Sequence, residues 1–275
     1  MPLAERHGLT YVGAKRTLLK RFALGCRAAR LAAPTPTARA NPRVDIADAR
    51  ESPAVRSRAA RLAAPTFTVK SNTMSRKPET LAFWWGRLPH WEVTDGRYFV
   101  TIHLAGAIPQ EGEDRIRELA QGYELLARND DDCRLQLQRR IYAEMECWLD
   151  RAESVSHLRE PPVAQMVVEA ISFRHNRTWN VLEYVVMPNH VHLFIEVIDG
   201  ELKRTVEQFK RWTGHSGTAL VADSRERFWQ DEWFDHWSRS EEQDERIIEY
   251  IRQNPVKAGL VDDYREWPYG SWSAK

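Results

Sequence analysis

Two strand-forming stretches separated by a three-residue turn constrain the fold of this chain more than any other feature. Trp179 to Val186 and His190 to Val197 are rich in β-branched and apolar residues, and Met187-Pro188-Asn189 lies between them. Strands joined by so short a connection run antiparallel, because a parallel pair needs a long crossover. The sequence therefore favours a fold built on an antiparallel sheet.

Helical patterns surround this hairpin on both sides. Residues 97–104 form a further strand, which we take as the first strand of the core. Helices are predicted over residues 112–128, 133–152, 161–174, 202–213 and 241–253, and Asn254-Pro255 is expected to stop the last one. An order of strand, helices, hairpin and helices is typical of an α+β fold.

Charge divides the chain near Met74. Residues 1–73 hold 14 Lys and Arg against 4 Asp and Glu, whereas residues 74–275 hold 26 against 35. We predict a disordered, basic, Ala/Arg/Pro-rich extension over 1–73 and one folded domain over 74–275. Because the folded part is acidic, a broad nonspecific DNA-binding surface on it is not expected.

The basic extension contains a repeat, since RAARLAAPTPT at 27–37 returns as RAARLAAPTFT at 58–68. Two copies are too few for a solenoid. Three interpretations stay open: a nucleic-acid-binding arm, a targeting segment, or translated upstream DNA ahead of a start at Met74. We favour the last.

Cysteine usage and hydropathy indicate the compartment. Cys26, Cys133 and Cys147 form no C-x-x-C pair and no disulfide pattern, which fits a reducing cytoplasm. The sequence has no run of 18 or more apolar residues, so it offers no candidate membrane span.

A pair of histidines stands at the start of the second hairpin strand. Side chains alternate along a strand, so His190 and His192 should share one face while Val191 and Leu193 point to the other. Two neutral imidazoles on one rigid strand can bind a divalent cation, with further ligands from elsewhere. On its own, His-x-His is more often a half-buried strand with two incidental histidines.

A tyrosine and an asparagine stand one helical turn apart in the last predicted helix. Tyr250 and Asn254 would share a face, so the amide oxygen could ligate the same cation beside the phenol. A phenol is a weak nucleophile at neutral pH, and a cation on the phosphate helps to overcome that weakness. Taken alone, a tyrosine packed on the core is the more common explanation.

Four motifs follow one another along the chain: YFVT at 98–101, VVMPNHVHLFIE at 185–196, FWQDEWFDHWSRS at 228–240 and YIRQNPVKAGLV at 250–261. As an ordered set they resemble the REP-associated tyrosine transposases, a branch of the HUH single-strand transposases. The resemblance covers about residues 85–272 and leaves the first 73 residues unmatched. Each motif is moderately specific, and the ordered set is strongly so.

The resemblance implies a fold and a reaction. The fold is ferredoxin-like, with a central antiparallel sheet that carries the histidines. His190, His192 and, by position, Asn254 would hold Mg²⁺ or Mn²⁺, and Tyr250 would be the nucleophile that forms a 5′-phosphotyrosine link. The implied partner is single-stranded or hairpin DNA from palindromic repeats. A monomer is favoured by resemblance, with a dimer as the open alternative.

Further residues near the motifs are candidates for DNA contact, although each is individually more typical of surface or core. The candidate phosphate contacts are Lys203, Arg204, Lys210, Arg211, Arg252 and Lys257, and the candidate stacking residues are Trp212, Trp229, Trp233 and Trp237. Asp235 and His236 also match the family pattern. They are either structural or, as the alternative, serve the metal shell and proton transfer.

Three functions follow from these features. The leading hypothesis is a metal-dependent DNA endonuclease and strand transferase. The alternative is a noncatalytic hairpin-binding protein with the same fold, against which the intact set of His190, His192, Tyr250 and Asn254 argues. A metal hydrolase that uses water in place of Tyr250 is the third, and it would form no covalent adduct.

Overall fold

The computed structural model describes residues 76, 78–126, 131–151, 155–198, 201–221 and 227–273. The chain divides into two units, residues 1–57 and 58–275, and every described residue belongs to the second. The predicted extension over 1–73 and its repeat lie outside the described residues. In the described part, no helix combines the length and the apolar character needed to cross a membrane.

The described chain is an α+β fold, as predicted, with two antiparallel sheets. A small sheet pairs β1 (Thr80–Trp85) with β2 (Pro89–Val93). The main sheet contains β3 (Arg97–His103), β4 (Trp179–Val186), β5 (His190–Val197) and β6 (Phe234–Trp237), in the order β4-β5-β3-β6. All its neighbouring strands are antiparallel, which is the ferredoxin-like arrangement expected from the sequence.

The described residues contain five α-helices: α1 (Gln110–Leu126), α2 (Asp131–Leu149), α3 (Pro161–Arg174), α4 (Leu202–Leu220) and α5 (Glu241–Lys257). Helix α3 begins at two prolines, which suit a first helical turn because its N–H groups have no intrahelical acceptor. Short 3₁₀ turns occupy His157–Arg159, Tyr264–Glu266 and Ser271–Ser273.

Helices cover both faces of the main sheet. On one face α3 and α4 contact each other, and Trp179 packs against Phe209 and donates its indole N–H to the Ile171 carbonyl. Trp179 pairs with Val197 and so lies on the face of Val191 and the other odd-numbered residues of β5. Helix α5 contacts β4 and β5 on the other face, which is the face of His190 and His192. The core therefore has two layers, and the histidines lie in the α2/α5 layer.

Strand β5 shows how completely the sheet is covered. His190 to Ile195 are all buried, so neither face of this strand meets solvent. The sequence of a strand that is buried on both faces is a nearly continuous run of apolar residues. The two histidines in that run therefore occupy core positions.

Helices α1 and α2 begin and end within three residues of their predicted limits, whereas α4 and α5 continue beyond their predicted ends. Helix α4 continues to Leu220, beyond the predicted end at residue 213, because Thr213 and Gly217 are buried under the aromatic pair Phe228 and Trp229. Trp229 donates its indole N–H to the Thr213 hydroxyl at 2.8 Å. Packing thus outweighs the weak helix preference of Thr and Gly.

The expected stop of the last helix at Asn254-Pro255 is wrong. Helix α5 runs through both residues to Lys257. Proline removes only one N–H, and the final turn is held by bonds from the Ala258 N–H to the Asn254 carbonyl and from the Leu260 N–H to the Pro255 carbonyl. Asn254 therefore projects from a helix, one turn after Tyr250.

Candidate metal centre and nucleophile

The two histidines of β5 meet at one point. Their Nε2 atoms lie 3.0 Å apart, and both side chains are buried, with 2% and 0% exposure for His190 and His192. Strand β3 runs beside them, so Thr101 is opposite His192 and His103 is opposite His190. The alternation of side chains along β5 places both rings on the same face.

Neighbouring polar groups orient each ring. Asn189 donates its amide N–H to the Leu149 carbonyl at 2.9 Å, which leaves its Oδ1 facing His190 Nδ1 at 2.6 Å. An amide oxygen only accepts, so His190 Nδ1 carries the proton and Nε2 keeps a lone pair. His192 Nδ1 lies 2.9 Å from the Thr101 hydroxyl. Such partners commonly fix the tautomer of a metal-binding histidine.

Both rings are held neutral. Burial, together with the nearby His103 and Lys257, lowers the pKa of His190 to about 3. Burial also lowers the pKa of His192 well below its ordinary value, with help from His190 and Lys257. Neutral imidazole is the form that binds a cation.

A carboxylate from α2 completes a three-residue cluster that the sequence interpretation missed. Glu146 Oε1 lies 3.6 Å from His192 Nε2, and ligand atoms of Glu146, His190 and His192 are all within 4.8 Å of one another. Glu146 is 3% exposed. Burial raises its pKa to about 7, against the lowering effect of the Tyr250 hydrogen bond and Lys257.

The sequence did contain a signal for Glu146. Tyr142 and Leu149, four residues before it and three after it, are buried, so Glu146 lies on the apolar face of α2. A charged residue on such a face is rarely buried unless it is paired or binds a ligand. The pattern of the helix alone could not indicate which partner it meets.

Asn254 contributes a second unusual group. Its side chain is 1% exposed, and neither its amide oxygen nor its amide nitrogen has a hydrogen-bond partner among the described residues. A buried amide without partners costs free energy, so its retention in this position suggests a ligand. Glu146 Oε1 is likewise without a hydrogen bond.

Tyr250 lies beside this cluster. It accepts a hydrogen bond from the Tyr142 hydroxyl at 2.7 Å and donates its own hydroxyl to Glu146 Oε2. Its ring meets the His192 ring edge-on, with centroids 5.6 Å apart. Burial of the hydroxyl, followed by the charge of Glu146, raises the pKa of Tyr250 well above its ordinary value.

These donors fit a divalent cation. Two imidazole nitrogens and one carboxylate form a set that suits a cation of intermediate hardness. Adjacent ligands in a six-coordinate shell with bonds of ~2.1 Å are ~3.0 Å apart, and the two Nε2 atoms have a separation of 3.0 Å. The unpartnered atoms of Asn254 and Glu146 are consistent with the same use.

Asp235 and His236 make contacts of another kind. Asp235 binds His90 of β2, and its backbone carbonyl accepts a hydrogen bond from Gln138. His236 lies 3.1 Å from Gln138 Oε1 and 2.6 Å from Gln243 Nε2. Through these contacts the two residues connect β6 to the β1–β2 hairpin, to α2 and to the first turn of α5.

The six basic residues proposed for DNA contact form two groups on different layers. Lys203, Arg204, Lys210 and Arg211 belong to α4, whereas Arg252 and Lys257 belong to α5, the helix of Tyr250. Four of the six make contacts inside the protein. The contacts are Lys203 over the Trp84 ring, Lys210 over the Trp233 ring, Arg252 to Glu183 at 2.7 Å and Lys257 to Asp150 at 2.8 Å.

Arg204 and Arg211 are exposed. Arg211 and Lys210 also line an open pocket of about 440 Å³ beside α4, together with Arg227 and the acidic Glu207 and Asp231. Burial lowers the pKa of Lys210 to about 8. The pocket therefore carries charges of both signs.

The tryptophans proposed for base stacking differ in how much of each residue is exposed. Trp212 is 49% exposed, whereas Trp229 and Trp233 are 5% and 4% exposed and belong to the core. Trp237 packs partly against the core and contacts Arg239. Of the four, Trp212 is the most exposed.

The fold and the site can be compared with known proteins. A family model described as "Transposase IS200 like" matches residues 157–254, which include His190, His192, Tyr250 and Asn254. The REP-associated tyrosine transposase of Escherichia coli strain K12 is 26% identical over 110 residues, which are 39% of this chain and 64% of that protein. A putative REP-associated tyrosine transposase of Haemophilus influenzae is 24% identical over 98 residues, which are 32% of this chain and 55% of that protein.

The chain thus spans less than two thirds of the length of these curated relatives. A solved structure described as a REP-associated tyrosine transposase bound to a REP hairpin aligns with a TM-score of 0.42 and 18% identity, over 66% of this chain and 80% of that one. Glu146, His190 and His192 form a cluster whose ligand atoms could hold a metal ion. Over residues 157–254 the chain is similar to the IS200-like transposases, and the REP-associated tyrosine transposases are among the proteins that it resembles.

Proposed function

We propose that this protein is a metal-dependent enzyme that nicks and rejoins single-stranded DNA, with Tyr250 as the nucleophile. The observation that carries the proposal is the contact of the Tyr250 hydroxyl with Glu146, whose other oxygen faces the buried histidine pair. A nucleophile and a cation-binding cluster thus share one site. The match of residues 157–254 to the model described as "Transposase IS200 like" supports the same activity.

The proposed reaction is an exchange of phosphodiester bonds. The Tyr250 oxygen attacks phosphorus, a bond forms between them, and the bond from phosphorus to the 3′ oxygen breaks. Tyr250 loses one proton and the departing 3′ oxygen gains one, so the products are a 5′-phosphotyrosine and a free 3′ hydroxyl. Attack by a 3′ hydroxyl on the phosphotyrosine reverses these changes and joins two strands.

The residues of the site divide this work. His190, His192 and Asn254 are the proposed ligands of Mg²⁺ or Mn²⁺, and Asn189 and Thr101 orient the two imidazoles. A bound divalent cation would reduce the negative charge on the nonbridging phosphate oxygens, which favours attack by a weak nucleophile. Tyr142 holds the hydroxyl of Tyr250 near the cluster. This arrangement positions the reacting group before DNA arrives.

The proposed substrate is DNA that folds into a hairpin beside an unpaired strand, as in palindromic repeats. The relatives are named for such REP elements. We propose the basic residues of α4 and α5 as phosphate contacts, and the exposed Trp212 as a stacking residue. Arg204 and Arg211, both exposed, are the strongest candidates for direct contact with phosphates.

The proposal is tested by incubating the full chain with labelled hairpin DNA from its own genomic neighbourhood, in Mn²⁺ or in EDTA, followed by denaturing gels. We expect a covalent protein–DNA adduct that needs metal and is absent in Tyr250→Phe. Tyr264→Phe is the matched control, because Tyr264 lies in a 3₁₀ turn after α5 and should react as the wild type does.

Two outcomes would contradict the proposal. Binding of the hairpin with neither nick nor adduct in any divalent metal would favour the noncatalytic hairpin-binding protein. Metal-dependent cleavage that persists in Tyr250→Phe would indicate a hydrolase in which water replaces the tyrosine.

A further inference from the structure

The carboxylate of Glu146 has two oxygens with different partners. Oε1 faces His192 Nε2 at 3.6 Å and makes no hydrogen bond among the described residues. Oε2 accepts a hydrogen bond from the Tyr250 hydroxyl and lies 3.8 Å from Lys257 Nζ. The two halves of the proposed active site therefore meet at this one side chain.

We propose that Glu146 bridges the metal centre and the nucleophile, as a metal ligand through Oε1 and as a positioning residue for Tyr250 through Oε2. The second half of this inference rests on the proposed function, whereas the first concerns metal binding alone. Glu146 precedes the residues that match the family model, 157–254, so this role is assigned by the geometry and not by the match.

A network of hydrogen bonds with a defined direction supports the positioning role. The Tyr142 hydroxyl donates to the Tyr250 hydroxyl, which donates to Glu146. Tyr142 and Glu146 are four residues apart on α2 and therefore lie on one face of that helix. One helix thus holds the nucleophilic oxygen from two sides.

Burial supports the ligand role. Glu146 is 3% exposed, and a carboxylate in such a place is expensive unless a cation or several donors meet it. The Tyr250 hydroxyl and Lys257 both approach Oε2, which leaves Oε1 toward the histidines. A cation between Oε1 and the two imidazoles would satisfy all three ligand atoms.

Metal binding tests the first half of the inference. The full chain without DNA is titrated with Mn²⁺, and free Mn²⁺ is followed by electron paramagnetic resonance. We expect Glu146→Gln to bind Mn²⁺ at least ~10-fold more weakly than the wild type, since losing even supporting groups of a metal site often has that effect. Glu144→Gln is the matched control, because Glu144 lies on the same helix but contacts Trp148 and Arg115.

The position of Tyr250 tests the second half. With 3-fluorotyrosine at position 250, the ¹⁹F resonance should shift in Glu146→Gln and in Tyr142→Phe, but not in Glu144→Gln. At saturating Mn²⁺ and DNA, both variants should form the adduct at least ~10-fold more slowly, with unchanged DNA affinity. Tyr142→Phe should keep Mn²⁺ affinity close to that of the wild type, because the hydroxyl that it removes contacts Tyr250 and Glu146 but is not itself a proposed ligand.

The possible results separate this inference from the proposed function. If the wild type forms no adduct, the proposed function fails, while the Mn²⁺ titration and the ¹⁹F shift still measure the bridge. Wild-type Mn²⁺ affinity in Glu146→Gln would overturn the ligand role. An unchanged ¹⁹F resonance in both variants would overturn the positioning role.

Discussion

Asn254 is the residue at which the free-energy cost of forming this site is clearest. It is buried, it sits inside a helix before a proline, and its oxygen and nitrogen have no hydrogen-bond partner among the described residues. A buried amide without hydrogen-bond partners destabilises the metal-free protein, and such groups are found where a ligand binds to them. Stability and binding should therefore respond to its removal in opposite directions.

We predict that Asn254→Leu, which keeps a side chain branched at Cγ, raises the free energy of unfolding in EDTA by ~1 kcal/mol, because an unpaired buried amide is removed. The same variant should bind Mn²⁺ more weakly than the wild type. Urea denaturation in EDTA and Mn²⁺ titration measure the two effects.

Gln253→Leu, one residue earlier on the same helix, is the control for this substitution, because Gln253 bonds Glu249 and is not part of the cluster. A loss of stability in Asn254→Leu together with unchanged Mn²⁺ affinity would mean that the amide is a structural group.

Among the elements, the β1–β2 hairpin has an unusual attachment to the main sheet. His90 of β2 is 1% exposed and contacts both Asp235 of β6 and Glu232, and Trp84 stacks on its ring. Burial alone lowers the pKa of His90, but the charges and hydrogen bonds of Asp235 and Glu232 outweigh it and raise the pKa to about 9. The imidazolium therefore ties the hairpin to β6 at neutral pH.

This attachment predicts a pH dependence of stability. A histidine whose pKa rises from 6.5 to about 9 on folding contributes its full stabilisation below pH 6.5 and loses it as the pH rises to about 9. The loss is on the order of 3 kcal/mol. Urea denaturation of the full chain between pH 6 and 10 should show the decline, and His90→Gln should show a flatter curve over the same range.

Lys210 has the opposite effect on stability as the pH rises. Its pKa is lowered to about 8, so above that pH the buried amine is neutral and its burial costs less free energy. The comparison is therefore made between the wild type and His90→Gln, in which Lys210 is the same. Equal slopes in the two proteins would show that His90 is not charged in the folded state.

The elements also show which parts of the fold could be read from the sequence. The core hairpin and α3 have the predicted limits, because β-branched residues and Pro161-Pro162 mark them locally. Strands β1, β2 and β6 were not predicted, since their pairing partners are distant in sequence and their aromatic residues fit several kinds of structure. The ends of α4 and α5 depended on packing that no local pattern indicates.

The site was predictable to a similar degree. Alternation along β5 places His190 and His192 together, and helical spacing places Tyr250 and Asn254 one turn apart. Glu146 was missed because its relation to the histidines arises only when α2 packs on the sheet, some 44 positions before His190 in the chain. The role of each residue in catalysis stays a prediction.

At the scale of the whole molecule, charge and chemistry are separated along the chain. The basic residues 1–73 carry 14 Lys and Arg against 4 acidic residues, whereas the proposed active site lies in the acidic remainder. Affinity for DNA phosphates depends on the number of cations that neutralise them, and the reaction depends on the site. The two properties should therefore be separable by mutation.

If residues 1–73 form a nucleic-acid-binding arm, the alternative to a start at Met74, replacing Arg27, Arg30, Arg58 and Arg61 of the repeat with Ala should weaken DNA binding and lower its salt dependence. If all four meet single-stranded phosphates, the slope of log affinity against log salt should fall by about 3, since each contact contributes roughly 0.7. At saturating DNA the adduct should form at the wild-type rate, because the nucleophile and the cluster are unchanged. Fluorescence anisotropy from 50 to 300 mM salt (about a sixfold range) measures the slope.

Lys210→Ala with Arg211→Ala provides the comparison within the folded domain. These residues lie in a pocket that also contains Glu207 and Asp231, so their removal should change the slope by no more than about 1.4. A wild-type slope in the four-arginine variant, with a large loss in the Lys210/Arg211 variant, would assign phosphate binding to α4. DNA would then approach along the helix layer that covers the face of the sheet opposite the histidines, and its unpaired strand would have to pass the sheet edge to reach Tyr250.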